Sequence, residues 1–425
     1  MSRPTTSRST LRGGAVIAVA MGVMNVSTYG FTILAARLLG PAEYGALAAV
    51  MGVLLVVNVL SLGLQATGAR RVSAAPHDLR QIEREVMTTS YVSAVLLGLL
   101  LVLAVPVVTS TLNLDSWGAA ALIAVTAVPL SVMGAQAGIL QGERRWGALA
   151  GIYLAVGVGR LGFGAVALLL EPDTLGAMTG VALGSFLPVL VGWLALRDAS
   201  RRRAQDRLPR SGGGHRWAAG GVLRETLHNS HALLAFFALS NTDVIVARST
   251  LDEHQAGLYA GGLILAKAVL FLPQFVVVVA FPSMSRQDGD RRSKHLLGLA
   301  MVAGIGLVTV LGVGVLSTLA VVFIGGPEYA ALQDRLWVFA ALGTLLALLQ
   351  LMVYDVVARQ HQRMVYVVWA GMAALLMAAP FVGSVTGLLS AVVTIDAVLL
   401  TVLLLASLRS PARGSAPAPT DASVT

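Results

Sequence analysis

ILAARLLGPAEYGALAAV, residues 33 to 50, returns in degenerate form as VIVARSTLDEHQAGLYA, residues 244 to 260. In both copies an apolar run closes on Ala-Arg (Ala36-Arg37, Ala247-Arg248). A short polar turn with an acid follows (Glu43, Glu253), and a glycine (Gly45, Gly257) opens the next apolar run. The pattern reads as one helical hairpin used twice, about 211 residues apart, so that the chain is two halves of one design and each hairpin begins its half. A chance match between two low-complexity apolar hairpins is the alternative that the sequence leaves open.

Composition says where such hairpins sit. Of 425 residues 56% are hydrophobic and only 12% charged, with a mean hydropathy of +0.79, whereas a soluble globule carries about 25% charged residues. There is too little polar surface to coat a soluble body, so the chain belongs in a bilayer. With no cysteine there are no disulfides, thiolate metal sites or cysteine nucleophiles.

Crossing about 30 Å of hydrocarbon takes roughly 20 apolar residues in a helix. Twelve such runs are expected, near 13–36, 45–68, 87–109, 117–139, 148–170, 174–197, 226–247, 256–281, 296–323, 335–357, 365–384 and 388–408. The N-terminal segment, the even-numbered gaps and the tail hold 25 of the 30 Lys and Arg residues, and the opposite side holds three, Arg37, Arg248 and Arg335. By the positive-inside rule both termini are cytoplasmic. The net charge of +9 is this bias in loop charge, and no nucleic-acid partner is expected.

The expected fold is an all-α polytopic membrane protein of about twelve helices in two six-helix lobes. Residues 1–196 form the first lobe, 197–223 a basic cytoplasmic linker, 224–408 the second lobe, and the Pro, Ala and Ser-rich stretch 409–425 a disordered cytoplasmic tail. Six helices precede the linker, so the halves are parallel repeats about an axis along the membrane normal. The first apolar run is too long for a signal peptide and lacks a small-residue cleavage site, and it reads as a retained helix. Between helices two and three, HDLRQIEREV (77–86) places Leu79, Ile82 and Val86 at helical spacing, which suits a helix lying on the cytoplasmic surface.

No Walker A, HExxH or GxSxG pattern is present. No enzyme activity, cofactor or metal is expected, and energy has to come from an ion gradient, the membrane potential or the substrate's own gradient. Chemistry then rests on ionisable groups within the spans, where each charge costs about 2.5–3.5 kcal/mol by insertion scales. Arg160 in helix five and Lys267 in helix eight fall near the midplane, one in each half, as substrate ligands or as partners of internal acids. Asp243 and Asp396 are the deepest acids, candidates for ion coupling or for counter-ions, while Asp355 lies near a helix end. His228, Asn229 and His231 open helix seven and read as cap and interface residues. Asn25 and Tyr29 in helix one, with Asn58 and Gln65 in helix two, can bond sugar hydroxyls or hold helices together. GVGRLGFG around Arg160 follows no strand, so it is no dinucleotide fingerprint, and its glycines allow close helix contact.

LAARLLGPAEYGALAAV (34–50) followed by SLGLQATGARRVS (61–73), with TDVIVARSTLDEHQAGLYAGGLILAKAVLFLPQ (242–274) and VAFPSMSR (279–286), resembles polysaccharide-type oligosaccharide flippases of the multidrug/oligosaccharidyl-lipid/polysaccharide superfamily. The resemblance implies two lobes in a V around a central cationic cavity. In it a polyprenyl-pyrophosphate-linked oligosaccharide would pass by alternating access from the inner to the outer leaflet of a bacterial cytoplasmic membrane, for cell-surface polysaccharide assembly. It also implies membrane lipid, the lipid-linked glycan and polysaccharide polymerases or glycosyltransferases as partners. Lipid II flippases of this superfamily carry arginines within the first two helices. Here the interiors of those helices have none, although Lys267 falls where such relatives keep a cation. A cation-coupled drug antiporter is the second reading, for which cavity acids without central cations would be expected, and a non-transporting membrane scaffold is the third.

Overall fold

The structure, a computed structural model, describes residues 6–205, 219–284, 291–358 and 362–409. Helix ends at Gly40, whose φ of +69° lies in the left-handed region, and restarts at Pro41. Glycine enters that region without a Cβ clash, and proline's fixed φ and missing N–H suit a first helical position. A side chain at 40 would in addition meet the Glu328 carboxylate. The chain therefore reverses there, separating α1 (6–39) from α2 (41–74), which has a break at Asn58. The second copy reverses between α7 (Ala219–Thr250) and α8 (Glu253–Met284), where the Asp252 carboxylate accepts a 3.0 Å bond from the Gln255 amide and caps α8.

The remaining helices are α3 (Leu79–Thr111), α4 (Trp117–Gly142), α5 (Trp146–Leu170), α6 (Thr174–Gly184 continuing as Phe186–Gln205), α9 (Arg291–Val315 continuing as Ser317–Ile324), α10 (Leu336–Ala358), α11 (Gln362–Ala378) and α12 (Val385–Arg409). Among the described residues ten stretches are long and apolar enough to cross a membrane. Dividing Gly13–Ala74 at Gly40 and adding the 32-residue α8 brings the number to the expected twelve. Residues 206–218 of the basic linker and 410–425 of the tail lie outside the described residues. The flanks of the linker are helical, α6 running on to Gln205 and α7 starting at Ala219.

One expectation is corrected. Residues 79–86 do not lie on the membrane surface but form the first turns of α3, after a short 3-10 turn at Pro76–Asp78. Ile82 and Val86 are buried in a cluster with Val72, Leu140 and Val222. An apolar i, i+4 stripe needs an apolar partner, and here α2, α4 and α7 supply it in place of lipid.

The two hairpins pack on each other backbone to backbone. A Cβ on Gly257 would fall 1.7 Å from the Pro41 carbonyl oxygen, and one on Gly45 would fall 2.9 Å from the Gly257 Cα. From this crossing α2 runs along α7, with Gly52 against Val244 and Asn241, then Gly63 against Ser230 and Thr226. Thr226 donates to Thr67 at 3.2 Å. The seam closes at the Arg-rich end of the bundle, where Arg71 grips Glu225 through Nε and Nη2 at 3.0 and 2.9 Å and Arg70 reaches the same carboxylate.

The arginines of the repeated motif also cross between lobes. Arg37 donates to the Val322 carbonyl at 2.7 Å from an exposed position. Arg248, only 4% exposed, donates to the carbonyls of Leu112 and Asn113, both at 2.9 Å, and to Glu253 at 3.1 Å. Each occupies carbonyls at a helix C-terminus that no intrahelical N–H can reach.

Since the atom facing Gly257 is main chain, a methyl group there can be accommodated only by moving a helix. Gly257→Ala should lower stability in detergent by about 1–3 kcal/mol or more, the usual range for overpacking. Gly312→Ala, with nothing within 4 Å of the new methyl, should leave the unfolding temperature in place. Equal melting curves for the two variants would remove the hairpin crossing from its role.

Candidate functional site

Glycines set the orientation of α5. Gly157 lies against the Met24 backbone and Ser27 of α1, while Gly159 meets the Gly184 carbonyl of α6. Gly164 takes the Phe31 ring on the α1 side. Two flanks are thus covered, and a third face carries Val158, Val166 and Leu169, all exposed as lipid-facing residues would be. At 100° per residue the face opposite that stripe carries Tyr153, Val156 and Arg160, all half-buried. Arg160 stands about 21 Å along a helix about 37 Å long, close to mid-membrane. Among the described residues its guanidinium has no hydrogen-bond or ion-pair partner.

The other polar candidates of the first lobe lie on α1 and α2, and of these Gln65 is tied to the Arg160 face of α5. Asn25 and Tyr29 lie one turn apart on the flank of α1, away from both the exposed Val19, Val23 and Val26 and the Ser27 and Phe31 side that packs on α5. Asn25 is half-buried and the Tyr29 hydroxyl is enclosed. Gln65 of α2 donates through Nε2 to Gln141 Oε1 of α4 at 3.0 Å and to the Tyr153 hydroxyl of α5 at 2.8 Å. Asn58 stands apart at the break in α2, with its amide oxygen sealed in and no partner among the described residues.

The second lobe gathers Asp243, Asp396 and Lys267, the charges within its spans, into one cluster. Asp243, 2% exposed, accepts the Val244 amide at 2.8 Å and the Tyr259 hydroxyl at 3.1 Å. Lys267 donates to Asn241 Oδ1 at 2.8 Å and lies within electrostatic reach of Asp243. Asp396 of α12, equally buried, is within reach of Asp243 and Tyr259, and its Oδ2 has no hydrogen bond among the described residues. Two carboxylates and one ammonium in a low-dielectric interior carry one negative charge in excess, which a proton or a monovalent cation would balance.

The structure therefore joins Asp243, Asp396 and Lys267, and it keeps Lys267 with partners of its own lobe. It does not join Lys267 to Arg160 through any bond. His231 accepts the Trp369 indole N–H at 3.1 Å, an interface role, while the side chains of His228, Asn229 and Asp355 lie outside the described residues. Sequence reasoning does not single out Gln141, Tyr153, Asn241 or Tyr259. A signal for Tyr153 is present, because it lies seven residues before Arg160 and hence on the same helical face.

Fold and interior together define a multi-pass helical membrane protein with charged groups inside its spans. The chain belongs to the polysaccharide biosynthesis protein family, which it matches over residues 10–288. No curated protein sequence matches it significantly. Among solved structures it is similar to an inward-facing multidrug resistance MATE family transporter of the MOP superfamily (14% identity, 93% of this chain and 97% of that one, TM-score 0.65). It is also similar to an outward-facing MATE transporter of that superfamily (15%, 94% and 95%, 0.58) and to a MATE protein in the bent conformation (14%, 95% and 95%, 0.60). At these identities the likeness is one of fold.

Removing the ammonium from a buried cluster leaves two carboxylates uncompensated. Lys267→Met should destabilise the protein by about 3–5 kcal/mol, and adding Asp243→Asn should restore much of the loss. A thermal-unfolding double-mutant cycle reads this directly, and additive effects would mean that the two side chains do not interact.

Proposed function

We propose that the protein is a flippase that carries a polyprenyl-pyrophosphate-linked oligosaccharide from the inner to the outer leaflet of the cytoplasmic membrane, by alternating access between its two lobes, for cell-surface polysaccharide assembly. The observation that carries this reading is Arg160, a mid-membrane cation on the interior face of its helix with no counter-ion among the described residues. An unpaired charge at that depth is tolerated where it faces water or an anionic ligand, and guanidinium binds phosphate in two-pronged fashion. Membership of the polysaccharide biosynthesis family supports a glycan as the rest of the cargo. Gln65, bonded to Tyr153 on the Arg160 face of α5, supplies hydrogen-bonding groups there, and Asn25 and Tyr29 are further candidates on α1. Glycosyltransferases that build the lipid-linked unit and a polymerase that consumes it are the partners such a reaction requires.

Coupling falls to the second lobe, where Asp243 and Asp396 would take up a proton or sodium ion once per cycle and Lys267 would set the charge balance. A cation-coupled drug antiporter is the competing reading, and this acidic cluster is the observation that favours it. A cationic drug, however, would be repelled by Arg160.

Deletion of the gene should cause one lipid-linked glycan to accumulate on the cytoplasmic leaflet. Arg160→Ala should fail to relieve that block although folded protein is present at the normal level. Unchanged export with Arg160→Ala would eliminate the reading, and loss of drug resistance with no glycolipid accumulation would favour the antiporter.

The Asp243→Asn, Asp396→Asn double variant should lose dependence of transport on the ion gradient, measured in proteoliposomes. Transport that stays gradient-driven would return both acids to a structural role.

Sidedness is open to thiol labelling because the chain has no cysteine of its own. An impermeant reagent applied to intact cells should modify His254→Cys and spare Gln205→Cys. The reverse pattern would invert the topology and with it the direction of transport.

A further inference from the structure

Most interior hydroxyls of the first lobe close on backbone. Ser61 donates to the Leu130 carbonyl at 2.6 Å, Ser90 to Ser131, Thr126 to Leu122 and Thr179 to Leu175. The Gln65, Gln141 and Tyr153 group behaves differently. Three side chains from α2, α4 and α5 bond to one another, and both hydrogens of the Gln65 amide are used in doing so. Gln65 Oε1 and Gln141 Nε2 are left without a partner among the described residues, yet neither is sealed away, since neither is among the buried atoms lacking a hydrogen bond. The Tyr153 hydroxyl accepts from Gln65 and keeps its own hydrogen to donate. An acceptor, an amide with two donors and a hydroxyl donor are thus grouped on three bonded side chains within an apolar lobe. Vicinal hydroxyls of a sugar ring present the complementary set, each hydroxyl giving one hydrogen and receiving others.

Position adds direction. Tyr153 lies seven residues before Arg160 on the same face of α5, about 10 Å nearer the Arg-rich end of the bundle. Gln141 lies one residue from the end of α4 at that same end. A ligand whose anion sits on Arg160 would therefore place the group attached to that anion at the three side chains.

We infer that Gln65, Gln141 and Tyr153 form a sugar subsite, which takes the hydroxyls of the first pyranose of a lipid-linked glycan while its pyrophosphate lies deeper, on Arg160. This deepens the flippase reading and rests on it. The substrate then loads with its pyrophosphate towards the membrane centre and its sugars trailing towards the Arg-rich end. Discrimination among glycans would reside in the first lobe, apart from the charge cluster of the second.

The test measures binding of two lipids to the purified full-length protein in nanodiscs. One is polyprenyl pyrophosphate, with no sugar, and the other is the glycolipid extracted from cells that lack the protein. Tyr153→Phe and Gln141→Leu, on different helices, should each weaken the glycolipid about fivefold to tenfold, the size of one lost hydrogen bond, and leave polyprenyl pyrophosphate within about twofold. Arg160→Gln should weaken both lipids alike. If Gln141→Leu does not elute as a folded protein, Gln141→Asn, which withdraws the amide without adding apolar bulk, replaces it. Glycolipid affinity unchanged in both subsite variants, or both lipids weakened equally, would overturn the subsite alone and leave the three side chains as interhelical glue. Wild-type protein that binds neither lipid would overturn the flippase reading and the subsite together.

Discussion

The molecule depends on the contact of Gly257 with the Pro41 carbonyl, where two helical hairpins touch main chain to main chain. In hydrocarbon there is no hydrophobic drive to bring helices together, because lipid tails are as apolar as the helices. Association rests on close van der Waals contact and on polar bonds between helices. Residues without bulk at the crossing allow both. They bring α1 and α2 of one lobe onto α7 and α8 of the other, and the seam of Gly52, Gly63 and Thr67 follows from that alignment. The arginines at the hairpin ends can reach carbonyls of the opposite lobe only because the crossing holds those helix ends in place.

Within this frame the two lobes treat charge in opposite ways. The second lobe is inward-looking, with Lys267 bonded to Asn241 and Tyr259 to Asp243, and with Asp396 close by but without a bond to Oδ2 among the described residues. The first lobe leaves Arg160 without a counter-ion among the described residues and leaves valences open at Gln65 and Gln141. One lobe thus carries a charge cluster and the other a set of polar groups with open valences. Under the proposed function this division would make small-ion binding and cargo binding distinct events joined by the movement of the lobes.

Much of this is legible in the residues. Helix number follows from apolar length and arginine placement, which bilayer thickness and insertion energetics dictate, and the hairpin repeat marks the lobe contact. Arg160, Asp243 and Asp396 stand out because a charge in a span is rare enough to need a reason. The partner of Lys267 is not legible, since Asn241 lies 26 residues away and only the packing of α7 on α8 brings the two together. Gln141 is invisible for a related reason, because a lone polar residue in a helix looks the same whether it bonds a neighbour or a ligand, whereas Tyr153 is marked only by its seven-residue spacing from Arg160. The start of α3 misleads because an apolar stripe declares that it will be covered without saying by what, and Val72 and Val222 cover it where lipid is expected.

Arg37 and Arg248 occupy equivalent positions in the repeat but not equivalent surroundings. Arg248 is enclosed and holds two carbonyls and an acid, whereas Arg37 holds one carbonyl from an exposed position. Hydrogen bonds from charged groups contribute about 1.5–3 kcal/mol each, and exposed ones fall at or below the lower end. Of the Arg248 bonds those to Leu112 and Asn113 cross between the lobes, while beside Arg37 Tyr329 adds a 3.3 Å bond to the Ala36 carbonyl, so the two hairpins are fastened in different ways. Two symmetric halves would open like scissors about their shared axis. Unequal fastenings break that symmetry, so the two hairpin ends of the seam are not interchangeable.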